Sequence, residues 1–218
     1  MSEVPVLRSL VIGDNASSWA AGGFDVVDRH GRAHTTIGEV TIELSGPDDG
    51  RGIVAWRMDG IDVDQIDGIT TLSGAPESAE SDSPTHSNLA THLDHVVMFT
   101  PDLQRTVETL EASGFEARRR RDVPGDGPPK QQVFFWAGPT IIELVGPVEA
   151  TGSGPASLWG LAITCSDLDA AREHLGDRLG EPKDAVQRGR RIATLRTRDL
   201  DISPSIAFMS PHPESASA

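Results

Sequence analysis

Ile42-Glu43-Leu44-Ser45-Gly46-Pro47 returns one hundred positions later (142 − 42) as Ile142-Glu143-Leu144-Val145-Gly146-Pro147. Such an echo marks a chain assembled from copies of one supersecondary unit, and it orders every later fold assignment. It also sets a carboxylate at the same point of the same predicted strand in two copies.

Outward from the second echo, the unit reads clearly. Leu93-Asp94-His95-Val96-Val97-Met98-Phe99 is an apolar strand. Thr100-Pro101-Asp102 reads as an N-cap, a proline at the first helical position and an acid in the first turn. Leu103, Val107 and Leu110 recur at helical spacing, and Ser113-Gly114 ends the helix. Strands are expected at 115–121, 131–136 and 140–145, the first two separated by a Pro/Gly loop at 123–129. The order is β-α-β-β-β. A third copy repeats it: strand 158–164, a helix opened by a capping box of Ser166 and Asp169, and strands near 185–187, 191–196 and 205–209. The first copy is shorter, with strands at 7–12 and 39–44 and at most two helical turns at 15–21. The apolar run 53–58 follows it and has no counterpart in the other copies.

The expected class is α+β, built of repeated βαβββ modules. Residues 1–72 form a degenerate N-terminal module and 73–91 a linker, flexible over 73–88. Residues 92–212 form a two-module domain (92–148 and 157–211), and 213–218 a disordered tail. The short link between copies two and three favours their direct packing around a cleft between curved sheets.

Composition narrows the partners. The chain has 218 residues and a net charge of −14, so nucleic acid and anionic membrane are poor partners. No apolar run approaches the ~18 residues of a membrane span. The single cysteine, Cys165, ends an apolar run and reads as a small buried hydrophobe. With no basic and apolar leader at the N-terminus and no possible internal disulfide, a cytoplasmic location is expected.

The strand 93–97, the capped helix, Gln132-Val133-Phe134-Phe135 and the Ile142 to Pro147 echo resemble a module of the vicinal oxygen chelate superfamily. That group includes glyoxalase I, extradiol dioxygenases, fosfomycin-resistance enzymes and bleomycin-binding proteins. Trp159-Gly160-Leu161-Ala162 and the stretch 185–195 resemble the second module of its bacterial glyoxalase-like members. The resemblance implies a divalent metal (Zn, Ni, Mn or Fe) in the cleft, held from the first and last strands of each module. Carried over, it gives His95 and Glu143 in the second copy, Ser9 and Glu43 in the first, and Gly160 and Ala207 in the third.

Strand alternation agrees: if His95 faces the cleft, so do Val97 and Phe99, while Val96 and Met98 face the helix. A glutamate within an apolar strand needs a partner or a metal when covered, which makes Glu143 the candidate catalytic group. His92 and His95, three apart on a strand, point to opposite faces, so His92 reads as a loop residue. His30, His34 and His86 read as loop residues too, and His174 as helix surface. Pairing copies one and two would add Glu43 as a third ligand; pairing copies two and three leaves two, fewer than the three protein groups a catalytic metal usually takes.

In Arg118-Arg119-Arg120-Arg121, one face of the strand, either Arg119 with Arg121 or Arg118 with Arg120, is positioned to meet a substrate carboxylate. Phe99, Gln132, Phe135, Trp159, Gln187 and Arg190 are further candidates for the cleft lining. Two functions follow. One is a metal-dependent lyase, isomerase or dioxygenase acting on a small carbonyl, carboxylate or diol compound. The other is a non-catalytic small-molecule binder of the bleomycin-resistance kind. A homodimer through copy one is expected, because three modules leave one without a partner.

Overall fold

The computed structural model describes residues 4–29, 31–74 and 85–213; His30, most of the expected linker (75–84) and the tail from residue 214 lie outside them. The first module runs β1 (Val6–Ile12), α1 (Ala16–Ala21), β2 (Val27–Arg29), β3 (Arg32–Ile37) and β4 (Val40–Leu44). Then come β5 (Ile53–Asp59), β6 (Gln65–Ile66) and β7 (Ile69–Leu72). The second module is β8 (Ala90–Phe99), α2 (Leu103–Ala112), β9 (Ala117–Val123), β10 (Lys130–Ala137) and β11 (Thr140–Pro147). The third is β12 (Ser157–Cys165), α3 (Leu168–Leu175), β13 (Lys183–Asp184), β14 (Arg191–Thr194) and β15 (Ser205–Met209). His92 and His34, expected in loops, lie on β8 and β3, the first exposed and the second buried.

These strands form two mixed sheets. The second and third modules share one, in the order β9-β10-β11-β8-β12-β15-β14-β13. Copies two and three are therefore the pair, joined where β8 runs antiparallel to β12. The other sheet has the order β2-β3-β4-β1-β5-β7-β6. Here β5 lies antiparallel to β1 and parallel to β7, as β12 lies antiparallel to β8 and parallel to β15. The run at 53–58 thus has a counterpart after all. It opens a fourth, abbreviated module that lacks a helix and a second strand. The first module pairs with it inside the chain, which removes the premise of a dimer through copy one.

Both long helices start one residue or more from the expected cap. Asp102, not Thr100, caps α2, its carboxylate accepting from Arg105 N; the Thr100 hydroxyl donates to the Asp102 carbonyl instead. Asp167, not Ser166, caps α3 and accepts from the amides of Asp169 and Ala170. A carboxylate satisfies these orphan donors and complements the helix dipole.

Alternation decides which face packs. Leu10, Ile42 and Trp56 are fully buried on one side of the smaller sheet, as are Val96, Met98, Ile142 and Leu144 on one side of the larger. The sheets meet through aromatics: Phe115 stacks on Trp56 and sets its ring edge-on to Phe135, while Phe24 stacks on Phe208. Each such buried ring contributes roughly 1.5–3 kcal/mol. Two carboxylates tie the sheets at the margins. Asp14, fully buried, accepts from Trp19 Nε1 (3.1 Å), the Ser203 amide (2.9 Å) and the Ser203 hydroxyl (2.6 Å). Asp67, beside β7, meets Arg105 (2.9 Å) and the Thr106 hydroxyl of α2. The opposite face of the larger sheet is open and concave.

Candidate functional site

That concave face encloses a cavity of about 630 Å³, inside the usual range for small-molecule sites. His95 and Val97 of β8 face it, with Ile141 and Glu143 of the adjacent β11. Ile141 is the register partner of His95, and Glu143 that of Val97. His95 and Glu143 are therefore diagonal neighbours on one face, with Cα atoms roughly 8 Å apart by strand spacing.

Each has its own support. His95 Nδ1 lies 2.5 Å from Asp94 Oδ1, a close contact that is not a hydrogen bond. Asp94 in turn meets the Arg190 guanidinium at 2.6 Å and accepts from the Thr164 hydroxyl at 2.9 Å. Burial pushes the Asp94 carboxyl up, but His95 and Arg190 together outweigh it and hold the group well below the usual carboxylate range. Glu143 accepts from Gln132 Nε2, and Gln132 Oε1 accepts from Arg121. Burial raises the Glu143 carboxyl above its ordinary value, against the opposing pull of His95, Arg121 and Gln132.

The lining matches the expected set in part. Gln132, Trp159 and Gln187 line the cavity. Arg119 and Arg121 are the cleft-facing pair of the arginine run, because they register with Phe134 and Gln132. Arg118 also reaches the cavity: the β9–β10 register slips between Phe134 and Phe135, leaving Arg118 without an opposite residue. It pairs with Glu116 at 3.2 Å. A matching slip on β12 frees Trp159, which is half-exposed. Phe99 sits outside the main cavity, against Trp159 with ring centres 5.1 Å apart. Phe135 borders the cavity as expected, but it is 1% exposed and packs mainly on Phe115 in the core; its neighbour Phe134 lines the cavity as well.

Arg190 departs furthest from expectation. It is 1% exposed, and its donors go to Asp94, Gln187 Oε1, Thr164 Oγ1, the Ser210 carbonyl and His212 Nε2. Each of its three nitrogens already has a partner, and it does not line the cavity; Arg190 supports the wall from behind. Cys165 is buried and unreactive, its thiol pushed up to about 11 by burial and then by Asp167.

Position in the fold also shows which residues of the third module correspond to His95 and Glu143. His95 pairs with Ala162 and Val97 with Gly160 across β8–β12, while Gly160 pairs with Ser205 and Ala162 with Ala207 across β12–β15. The helix caps Asp102 and Asp167 each follow seven residues after His95 and Gly160, and Ile141 registers with His95 as Ser205 does with Gly160, so Gly160 is the counterpart of His95 and Ala207 that of Glu143. A β-carbon built on Gly160 would lie 2.7 Å from the Ser205 carbonyl oxygen, so a side chain there requires the backbone to shift. Glu43 lies on the other sheet. Its Oε1 accepts from Ser9 (2.5 Å) and stands 3.6 Å from Arg57 Nε, an internally neutralised group. Among the described residues no three His, Cys, Asp or Glu side chains converge on a metal position. A catalytic metal generally takes three protein ligands, so His95 and Glu143 alone do not fit a resident ion.

Residues 94–194 match the Glyoxalase/Bleomycin resistance protein/Dioxygenase superfamily. No curated protein matches the sequence. Among solved structures, a variant of 4-hydroxymandelate synthase from Streptomyces coelicolor aligns over 95% of this chain and 92% of its own, at 12% identity and a TM-score of 0.64. An extradiol ring-cleaving dioxygenase from B. fuscum aligns over 97% of this chain and 74% of its own, at 15% identity and a TM-score of 0.62. Methylmalonyl-CoA epimerase from Mycobacterium tuberculosis aligns over 60% of this chain and 94% of its own, at 22% identity and a TM-score of 0.44. At these identities the likeness is one of fold, and the first two extend it across both sheets.

Proposed function

We propose that the chain is a member of the Glyoxalase/Bleomycin resistance protein/Dioxygenase superfamily, whose pattern residues 94–194 match, and that its cleft is a small-molecule binding site that works without a resident metal. One observation carries this reading: the two positions that would complete a ligand set hold Ala207 and a glycine whose β-carbon would collide with the Ser205 backbone. The cavity on that side is apolar, walled by Ala162, Ala207, Ile192 and Met209 and flanked by the aromatic rings of Phe134, Trp136 and Trp159. Sites of this volume and lining bury most of a drug-sized molecule.

A second, catalytic reading rests on the backing of His95. The Asp94 carboxylate lies 2.5 Å from the ring, and His95 with Glu143 could pass a proton between neighbouring oxygens of a bound carbonyl compound. A metal-dependent form of that reading needs further ligands from substrate or water.

The neutral fluorophore N-phenyl-1-naphthylamine tests the site. Wild-type protein is expected to bind it saturably, and Ala207→Trp, which fills the apolar end, to weaken binding at least tenfold. Equal binding by both proteins refutes the cleft as the site. Metal analysis after purification without added metal is expected to give under a tenth of an equivalent, with no gain on titration. A stoichiometric metal that is lost in His95→Ala overturns the metal-free reading in favour of the metal-dependent one.

A further inference from the structure

The cleft is charged against the grain of the protein. The whole chain carries −14, yet the cavity is lined by three arginines and a single acid, Glu143. That acid is already engaged by Gln132. The arginines are not equivalent. Arg121 is committed to Gln132, with Nε 2.8 Å from Oε1, and lies 6.0 Å over the Phe134 ring. Arg118 is held by Glu116. Arg119 lines the cavity, is exposed, and has no partner among the described residues.

The two ends of the cavity differ in chemistry. Strand β9, with the arginines, forms one end of the sheet; the wall from β12, β14 and β15 is built of Trp159, Ala162, Ile192, Thr194 and Ala207, none of them charged. A guanidinium offers paired N–H donors in a plane that fits a carboxylate, sulfonate or phosphate. An apolar wall facing it favours a flat hydrocarbon body.

We propose that the cleft selects a flat apolar molecule bearing one anionic oxygen group, with Arg119 as the anion anchor and the body lying toward β12 and β15. The proposal rests on the binding reading above and adds ligand class and orientation to it. Arg119 is a specificity residue: it gains the anion without losing an existing partner, whereas Arg118 and Arg121 would first have to release theirs.

A matched pair of probes separates the two levels. 1-Anilinonaphthalene-8-sulfonate and N-phenyl-1-naphthylamine share one ring system and differ by the sulfonate. Fluorescence titration is run on wild type, Arg119→Gln and Arg120→Gln. Arg120 registers with Val133, whose side chain is in the core, so it lies on the face away from the cavity and serves as the control for net charge. Wild type is expected to bind the sulfonate roughly tenfold more tightly than the neutral probe, the usual scale of a hydrogen bond to a charged group. Arg119→Gln should erase that difference and leave the neutral probe unchanged; Arg120→Gln should change neither. Equal affinity for the two probes in wild type, or a preference that survives Arg119→Gln, overturns the anion anchor while the binding site stands. Failure of both probes to bind wild type overturns the anchor and the binding reading together.

Discussion

Replacing Arg190 by methionine is expected to be among the most damaging single changes in the larger sheet. Side-chain exposure is 0% for Arg190 and 6% for Asp94, and the two are 2.6 Å apart. Methionine keeps the length and apolar volume of the stem, so little cavity forms and the loss is electrostatic. Asp94 is left buried with only the Thr164 hydroxyl and the His95 ring. The carbonyl of Ser210 and the side chain of Gln187 lose their donor as well. Removing one partner of a buried pair costs about 3–5 kcal/mol. For a chain of this size that lowers Tm by about 10 °C, at 2–4 °C per kcal/mol. Urea unfolding at pH 7, followed by fluorescence, reads the effect directly. The reasoning makes a second demand. Asp94→Asn in the Arg190→Met background removes the uncompensated charge and should recover about half or more of the loss, because deleting both partners is far cheaper than deleting one. Arg190→Met within 1 kcal/mol of wild type, or a double variant no better than the single, refutes the account of this pair.

Three further outcomes follow from particular contacts. Gly160→Ala should cost about 1–3 kcal/mol, the usual penalty for forcing a methyl group against fixed atoms, and equal Tm values for the two proteins would contradict the close approach of Ser205. Asp14→Ala should cost about 2–4 kcal/mol by orphaning the Ser203 amide and Trp19 Nε1; a Tm unchanged within 2 °C would show that the sheets do not depend on it. His86 must be neutral to accept from the Asp25 amide at Nδ1 while its Nε2–H donates to the Thr36 carbonyl. Burial lowers its pKa from 6.5, ahead of the smaller raising effects of Thr36 and Asp25. A lowered histidine pKa gives stability that is complete above the unfolded value and is lost as pH falls through the window below 6.5. The fall in urea midpoint from pH 8 to pH 5 should therefore be smaller in His86→Gln, and an identical fall in both proteins would refute the linkage.

The modules were legible because local signals mark them: an apolar strand in each, an acid at the helix starts of the second and third, a Ser-Gly stop in the second, and the Ile-Glu-Leu-x-Gly-Pro echo in the first and second. The β9 arginines could be narrowed to one of two faces by alternation, and register then chose Arg119 and Arg121. What was not legible depends on distant partners. Arg190 looked like a cleft residue because an arginine in a polar loop is normally solvated; its burial follows from Asp94, a residue of another module that sequence proximity does not reveal. Phe134 and Phe135 are adjacent and chemically equal, and only the strand register says which of them packs on Phe115. The fourth module has no helix to carry its period, and its later strands are only two and four residues long, so nothing in the sequence after 53–58 repeats the pattern. The caps slipped by one or two positions for a simpler reason: Thr100 and Asp102 can both accept from an early helix amide, and the carboxylate won.

The contact between Gly160 and Ser205 also has a bearing on history. A glycine in open space could take a side chain by one substitution, but here the Ser205 backbone of β15 lies in the room that side chain would need. Any route to a ligand at position 160 must first pass through a step that withdraws that backbone and gains nothing by itself. The glycine at position 160 therefore acts as a ratchet, and sequences descending from this one are freer to explore new occupants of the cleft than to gain a side chain there.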